Sequence, residues 1–292
     1  MFIPASELVL NPDGSVYHLH LLPEQIAQNI IVVGDPERVP QVSRFFDKII
    51  HKVQKREFIT HTGTYKGKPL SVISSGIGTD NVEILMTELD ALVNIDLKKR
   101  ELKEEHTTLN IIRIGTSGSL REEIPLGSHL ASSYGIGLDS LMFFYDLPQK
   151  PLEKQVSELL RTQLSLSFEP YCTSGSEKLL EKFAPYFLQG VTVTCCGFYA
   201  PQGRSIRTQP KIPHLIYALN QFRLAENPNF HITNFEMETA AYYAMGRLLG
   251  HELLSLNAIL ANRITHEFHQ QPEKVINELI EQTLSHLIAN NV

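Results

Sequence analysis

The chain is short of cysteine, of long apolar runs and of basic clusters, and each shortage removes a class of protein. Only three cysteines occur in 292 residues: Cys172, Cys195 and Cys196. An odd number with two of them adjacent makes no disulfide framework, so free thiols in a reducing compartment are expected. Cys195 and Cys196 follow Val191 and Val193 and read as small core residues, not ligands. No apolar run approaches the roughly 18 residues of a membrane helix, and no basic segment followed by an apolar one opens the chain. A cytoplasmic location without a membrane partner is the expectation. Twenty-six Lys and Arg against 32 Asp and Glu give a net charge of −6, with no basic tail or stripe, which excludes nucleic acid as a partner. An anion site in such a chain has to be a local cluster rather than a general field.

What is present fits a globular α/β protein, with 42% hydrophobic and 20% charged residues and apolar strands alternating with helix patterns. Residues 1–28 carry three prolines and read as an N-terminal arm. Asn29–Val33 is a short buried strand ending at Gly34-Asp35-Pro36-Glu37-Arg38, where Asp35 suits an N-cap and Pro36 a first helical turn. Residues 51–65 read as one strand, 70–74 as its return, and 80–92 as a helix after Ser75-Gly76-Ile77-Gly78. The charged stretch 96–106 reads as a solvated helix end or loop. Further strands are expected at 127–133, 190–195, 232–235 and 253–260, and helices at 152–164, 177–187, 240–249 and 272–289.

The stretch Asn110–Leu120 carries the first chemistry. Its apolar start reads as a buried strand that feeds a glycine-punctuated turn. A buried guanidinium such as that of Arg113 needs an anion beside it. Thr116 and Ser117 offer hydroxyls between Gly115 and Gly118, so the group suits a phosphate; an internal carboxylate partner for Arg113 explains the arginine equally well. Phe198, Gln202 and Arg204 share one loop-like segment. An aromatic face with an amide and a guanidinium can hold a planar heterocycle, and a mobile surface loop is the competing reading. Glu236-Met237-Glu238 lies at a strand-to-helix junction, where two carboxylates can accept from vicinal hydroxyls or simply start the helix.

Together, Gly-Asp-Pro-Glu-Arg (34–38), Lys-Arg-Glu-Phe (55–58), Ser-Gly-Ile-Gly (75–78), Arg-Ile-Gly-Thr-Ser-Gly (113–118) and Phe-Glu-Met-Glu-Thr (235–239) resemble the nucleoside phosphorylase family in order and spacing. Gln202-Gly203-Arg204 and Asn262-Arg263 resemble its uridine phosphorylase branch. The resemblance implies a single α/β domain over 1–292 with a mixed, barrel-like central sheet flanked by helices. It implies phosphate-binding roles for Gly34, Arg38, Arg113 and Thr116, with Arg56 lent by a neighbouring subunit. It places His18, also lent, with Thr116, Glu236, Met237 and Glu238 at the ribose. It places Ser117, Gly118, Phe198, Gln202, Arg204 and Arg263 at the uracil. No metal and no cofactor is implied; inorganic phosphate is a co-substrate. In some bacterial members a monovalent cation sits between subunits near the positions of Glu57, Ile77 and a serine. Asn81 stands at that serine's place, so no cation is expected here. A lent residue implies a homo-oligomer, at least a dimer and up to a hexamer. The loop reads Ala-Pro-Gln-Gly-Arg where relatives tend to have Pro-Gly-Gln-x-Arg, so the resemblance does not fix its shape.

The implied reaction is reversible phosphorolysis of uridine to uracil and ribose 1-phosphate, as in pyrimidine nucleoside salvage, with Arg113, Gln202 and Arg204 as its central groups. Three converging arginines argue against a nucleosidase, which uses water. Asn262 argues against a purine phosphorylase, because an amide cannot protonate the base. A catalytically silent nucleoside-binding protein has no use for a reactive anion.

Overall fold

The computed structural model describes residues 2–288, and their side chains up to residue 287. They form two compact units, residues 2–113 with 245–252, and residues 114–244 with 253–288. In the first unit the chain runs through β1 (Asn29–Val33), α1 (Arg38–Ser43), β2 (Lys48–Lys55), β3 (Phe58–Tyr65), β4 (Lys68–Ser74), α2 (Thr79–Asn94), β5 (Ile95–Asp96) and β6 (Glu101–Leu102). It then enters β7 (Asn110–Ser119), which continues into the second unit. The first unit's strand order is β7-β1-β4-β3-β2. Strand β1 lies where its apolar residues place it, with Ile30 to Val33 fully buried and Val33 parallel to Ser74 of β4. Parallel strands need covered faces, and the continuous apolar run supplies them.

Three expectations in this unit need correction. Residues 51–65 are not one strand but a hairpin of β2 and β3 with Arg56-Glu57 at its tip. Arg56 adopts a left-handed φ of 53°, although the tip carries none of the glycine or asparagine that usually signals such a turn. The charged stretch holds a second small hairpin, β5 with β6, instead of a loop or helix end. Helix α1 starts only at Arg38, so Pro36 precedes it, and the Asp35 carboxylate accepts from the Glu37 N–H at 2.9 Å.

The second unit contains β8 (His129–Leu138), α3 (Pro151–Gln163), β9 (Tyr171–Ser174), α4 (Glu177–Phe183), β10 (Leu188–Cys195), α5 (Leu215–Gln221) and β11 (Ile232–Glu236). It ends with the start of α6 (Thr239–Leu249), β12 (Glu252–Asn262), β13 (Glu267–Phe268) and α7 (Pro272–Ile288). The final residue expected in α7, Ala289, lies outside the described residues. Strand order β12-β8-β10-β11-β7, closed by a β12–β7 pairing, makes a five-stranded mixed barrel. Pairing is parallel between β8 and β10 and between β10 and β11, and antiparallel between β11 and β7. The fold class is the mixed, barrel-like α/β one expected. The glycine-rich end of β7 is strand and not turn: Gly115 to Ser119 continue the ladder, and Gly118 pairs with Phe235. Strand β9 and helix α5 carry too little periodicity to be found in the sequence, and β8 runs five residues past the expected end.

A buried polar chain runs through the barrel, with one side chain from each strand. The Asn257 amide donates to Ser132 Oγ at 3.1 Å, and Ser132 and Thr192 share a hydroxyl contact of 2.6 Å. Thr192 donates to Asn234 Oδ1 at 3.0 Å, and the Asn234 amide donates to Ser117 Oγ at 2.9 Å. All five residues are buried, so each missing bond would leave an unpaired polar group. Outside the barrel, Ile136, Leu160, Val193, Phe222 and Phe235 belong to one apolar cluster.

Gly135 on β8 lets the first turn of α6 approach closely. A Cβ there would lie 2.8 Å from the Ala240 Cα and 3.0 Å from its nitrogen, both backbone atoms that cannot swing away. Gly135→Ala should therefore cost about 1–3 kcal/mol of stability and lower the melting temperature by several degrees. A melting curve unchanged by this substitution would contradict the packing described.

Candidate active site

In the first unit the expected phosphate-binding residues follow from sheet topology. Strand β1 ends at Val33, and the chain turns at Gly34 into Arg38, the first residue of α1. The neighbouring parallel strand β4 ends at Ser74, and its extension is held by the Ser75 N–H donating to the Val33 carbonyl at 2.8 Å. A Cβ on Gly34 would sit 3.4 Å from the Gly76 carbonyl, so the two glycine turns meet at one sheet edge. Gly76 has a φ of 72° and Gly78, the N-cap of α2, a φ of 99°. Arg113 is buried on β7, the strand on the other side of β1, so the turn that carries Gly34 and Arg38 and the strand that carries Arg113 are neighbours at the sheet. Carboxyl ends of parallel strands with bare backbone are where open α/β sheets place ligands. Thr116 follows Arg113 by three residues on β7 and is half-buried.

The two residues expected to be lent elsewhere lie on projecting features. Arg56 is exposed at the hairpin tip. His18 lies on the N-terminal arm with 28% of its side chain exposed. Lys55 ties these features together, donating to the Tyr17 carbonyl at 2.8 Å and to Asn11 Oδ1 at 3.0 Å.

The second unit brings the expected base-binding residues into one group. Residues 200–202 form a 3-10 turn, and Gly203 takes a left-handed φ of 68°. That conformation sends the chain back, so the Arg204 guanidinium lies 3.7 Å over the Phe198 ring. The guanidinium donates to Gln202 Oε1 at 2.6 Å and to the Phe198 carbonyl at 2.5 Å. Gln202 is 4% exposed; its oxygen is engaged and its amide nitrogen lies 3.5 Å from the Glu236 carbonyl, which leaves one amide N–H as its outward chemistry. Arg263, following the end of β12, donates to the Gln202 carbonyl at 3.1 Å and lies 5.4 Å from the Phe235 ring centre. Its stem passes Gly118, where a Cβ would stand 3.4 Å from the Arg263 Cγ. Ser117 accepts from Asn234, which leaves its own hydroxyl proton to donate. Burial and the nearby Arg263 push the Arg204 guanidinium down to about 10, and burial lowers Arg263 as well.

Glu236 and Glu238 differ in what they touch. The Glu236 carboxylate accepts from the Thr194 hydroxyl at 2.7 Å, the Glu238 N–H at 2.9 Å and the Thr239 N–H at 3.0 Å. It thus caps α6, the helix-starting reading of this residue. Glu238 is 6% exposed and Met237 half-buried beside it. Cys195 is buried, and burial and the Glu236 charge push its thiol up; Cys196 is exposed, against the expectation of a core pair.

Residues 29–289 match the phosphorylase superfamily. The chain belongs to this superfamily. It is 28% identical over 262 residues to a uridine phosphorylase of Thermococcus kodakarensis, covering 90% of this chain and 83% of that protein. It is 24% identical over 277 residues to a DeoD-type purine nucleoside phosphorylase of Streptococcus suis, covering 93% of this chain and 98% of the other. Among solved structures, a Trypanosoma brucei nucleoside phosphorylase described as showing uridine phosphorylase activity superposes with a TM-score of 0.89 at 26% identity, covering 97% of this chain and 100% of that one. The chain is therefore a pentosyltransferase-type enzyme of this superfamily.

Sequence reasoning missed three residues that hold expected site residues in place. Thr194 pins Glu236, Asn234 orients Ser117, and Glu88 of α2 binds His18 at 2.7 Å. Each partner is at least 42 residues away in the chain, so no local pattern marks them. Asp90, His106 and His251 also gather, with ligating atoms within 4.8 Å of one another. The Leu109 N–H donates to His251 Nδ1 at 3.2 Å, so the ring proton sits on Nε2, which faces Asp90 off-axis at 3.3 Å. A protonated nitrogen has no lone pair for a metal, and the group reads as a histidine–aspartate pair.

Removing the Glu236 carboxylate would orphan two buried N–H groups and the Thr194 hydroxyl. Glu236→Ala should cost about 2–4 kcal/mol in denaturant unfolding. A loss under about 0.5 kcal/mol would show that the cap carries nothing.

Proposed function

We propose that the protein catalyses reversible phosphorolysis of uridine, in which uridine and inorganic phosphate give uracil and ribose 1-phosphate. The observation that carries this reading is the group formed by Phe198, Gln202, Arg204 and Arg263, an exposed aromatic ring with Arg204 over one face and the Gln202 and Arg263 donors joined to it by hydrogen bonds. A uracil ring stacks on an aromatic face and exposes two carbonyls to donors. When the glycosidic bond breaks, positive charge builds on the sugar and the base departs carrying negative charge. Arg204 and the Gln202 amide donate to that charge more strongly in the transition state than in the ground state. Phosphate held by Gly34, Arg38, Arg113 and Thr116, with Arg56 from a neighbouring copy, is the nucleophile and the negative partner of the sugar cation. Glu238 accepts from the ribose 2′- and 3′-hydroxyls, with Met237 against the sugar, and His18 of a neighbouring copy meets the 5′-hydroxyl. The active form is then at least a dimer. The free cysteines suit a reducing cytoplasm.

The purine alternative lacks support at Asn262. Its amide donates to the Arg121 carbonyl at 3.0 Å, and its oxygen accepts from the Ile264 and Thr265 N–H groups at 3.0 and 3.1 Å. Both ends are thus engaged in the turn, and no carboxyl stands there to protonate a purine.

Uracil release from uridine should exceed hypoxanthine release from inosine by about 100-fold or more in kcat/KM. Arg204→Ala should lower kcat for uridine by about 100-fold. Faster turnover of inosine would overturn the substrate, and a near-normal Arg204→Ala rate would remove the leaving-group role.

A further inference from the structure

Glu88 lies on α2, 8% exposed, with four contacts from a single stretch of the arm. Its Oε1 and Oε2 accept from the His18 N–H at 2.9 and 3.0 Å, and Oε2 accepts from the Leu19 N–H at 2.8 Å. Oε1 also lies 2.7 Å from His18 Nδ1. An ionised carboxylate only accepts, so the proton in this last bond belongs to Nδ1. In the neutral ring the lone pair then sits on Nε2, at the end remote from Glu88. The backbone bonds fix where the residue sits, and the side-chain bond fixes which way the ring faces and which nitrogen can accept. The Tyr17 ring meets the imidazole edge-on at 4.9 Å and limits its rotation further.

We propose that Glu88 is a positioning residue for the reaction: it holds His18 in the Nδ1–H tautomer so that Nε2 accepts the hydrogen bond of a ribose 5′-hydroxyl. The inference rests on His18 serving the sugar of uridine bound by a neighbouring copy. Glu88 itself touches no substrate. A glutamine there keeps the volume but offers one accepting oxygen for donors that now share two. Its amide N–H₂ must also face either a backbone N–H or His18 Nδ1, which reverses the tautomer or releases the ring.

The test uses Glu88→Gln and His18→Ala in the full chain, assayed with uridine and with 5′-deoxyuridine in phosphate. Each substitution should lower kcat/KM for uridine about tenfold, the size of one charge-assisted hydrogen bond, and change 5′-deoxyuridine less than twofold. The double variant should be no worse than His18→Ala alone, because both remove one interaction. A loss by Glu88→Gln that is equal on the two substrates, or additive with His18→Ala, would overturn the proposal and leave Glu88 a purely structural anchor. Unchanged uridine kinetics in Glu88→Gln would overturn it also. Should the unaltered protein not cleave uridine, the substrate reading fails instead. Nitrogen NMR of the His18 ring then decides the inference independently: an Nδ1–H form lost in Glu88→Gln supports it, and an Nε2–H form in the unaltered protein refutes it.

Discussion

Two guanidinium groups crowded into one half-buried corner set the constraint on which the site depends. Burial alone disfavours the charged forms of Arg204 and Arg263, and Arg204 is disfavoured further by Arg263 itself. Such an arrangement costs stability unless an electron-rich ligand enters, and perturbed cations in a pocket are a mark of function. The Phe198 face under Arg204 offsets part of the cost, and Gln202 takes up one of its N–H groups. In the proposed reaction, the N–H groups left over face the departing base. In that reaction, repulsion between the two arginines is relieved as the base gains negative charge, which favours the transition state.

The frame that holds this corner is polar as well as apolar. Five barrel strands each contribute one buried hydrogen-bonding side chain, and one of them, Asn234, sets the direction of the Ser117 hydroxyl. At the start of α6, Thr194 links β10 to the Glu236 cap, and its oxygen also accepts from the Ala240 N–H at 2.8 Å. Fully satisfied buried networks are stiff, because every alternative leaves a group unpaired. Preorganised donors need that stiffness, since a donor free to swing loses its advantage over water.

The parts of this arrangement that could be read from the sequence are those with local signals. Asn29–Val33 is apolar, β-branched and bounded by Gly34, and it is a strand to the residue. The helix after Gly78 and the one starting at Pro272 follow equally local cues. Arg56 shows the opposite case: a tight turn of Arg-Glu, strained at φ 53°, is imposed by pairing of β2 with β3 and leaves no mark in composition. Gly115 to Gly118 misled for a related reason. Their glycines suggest a turn, but the ladder runs through them, and Gly118 lies beside the stem of Arg263. Glu88 reads as one more acid on a helix until its partner 70 residues earlier is known. The expected site residues stand in ordered local motifs, whereas the residues that orient them depend on long-range contacts.

The central claim is that an oxyanion performs the displacement while the arginine corner receives the base. The most direct measurement is the rate of uracil formation from uridine across a phosphate titration, beginning from a phosphate-free preparation. The account predicts a rate that is negligible without phosphate, rises and saturates with it, and yields ribose 1-phosphate in equal amount to uracil. Uracil released at the same rate without phosphate, with free ribose as the second product, would contradict it.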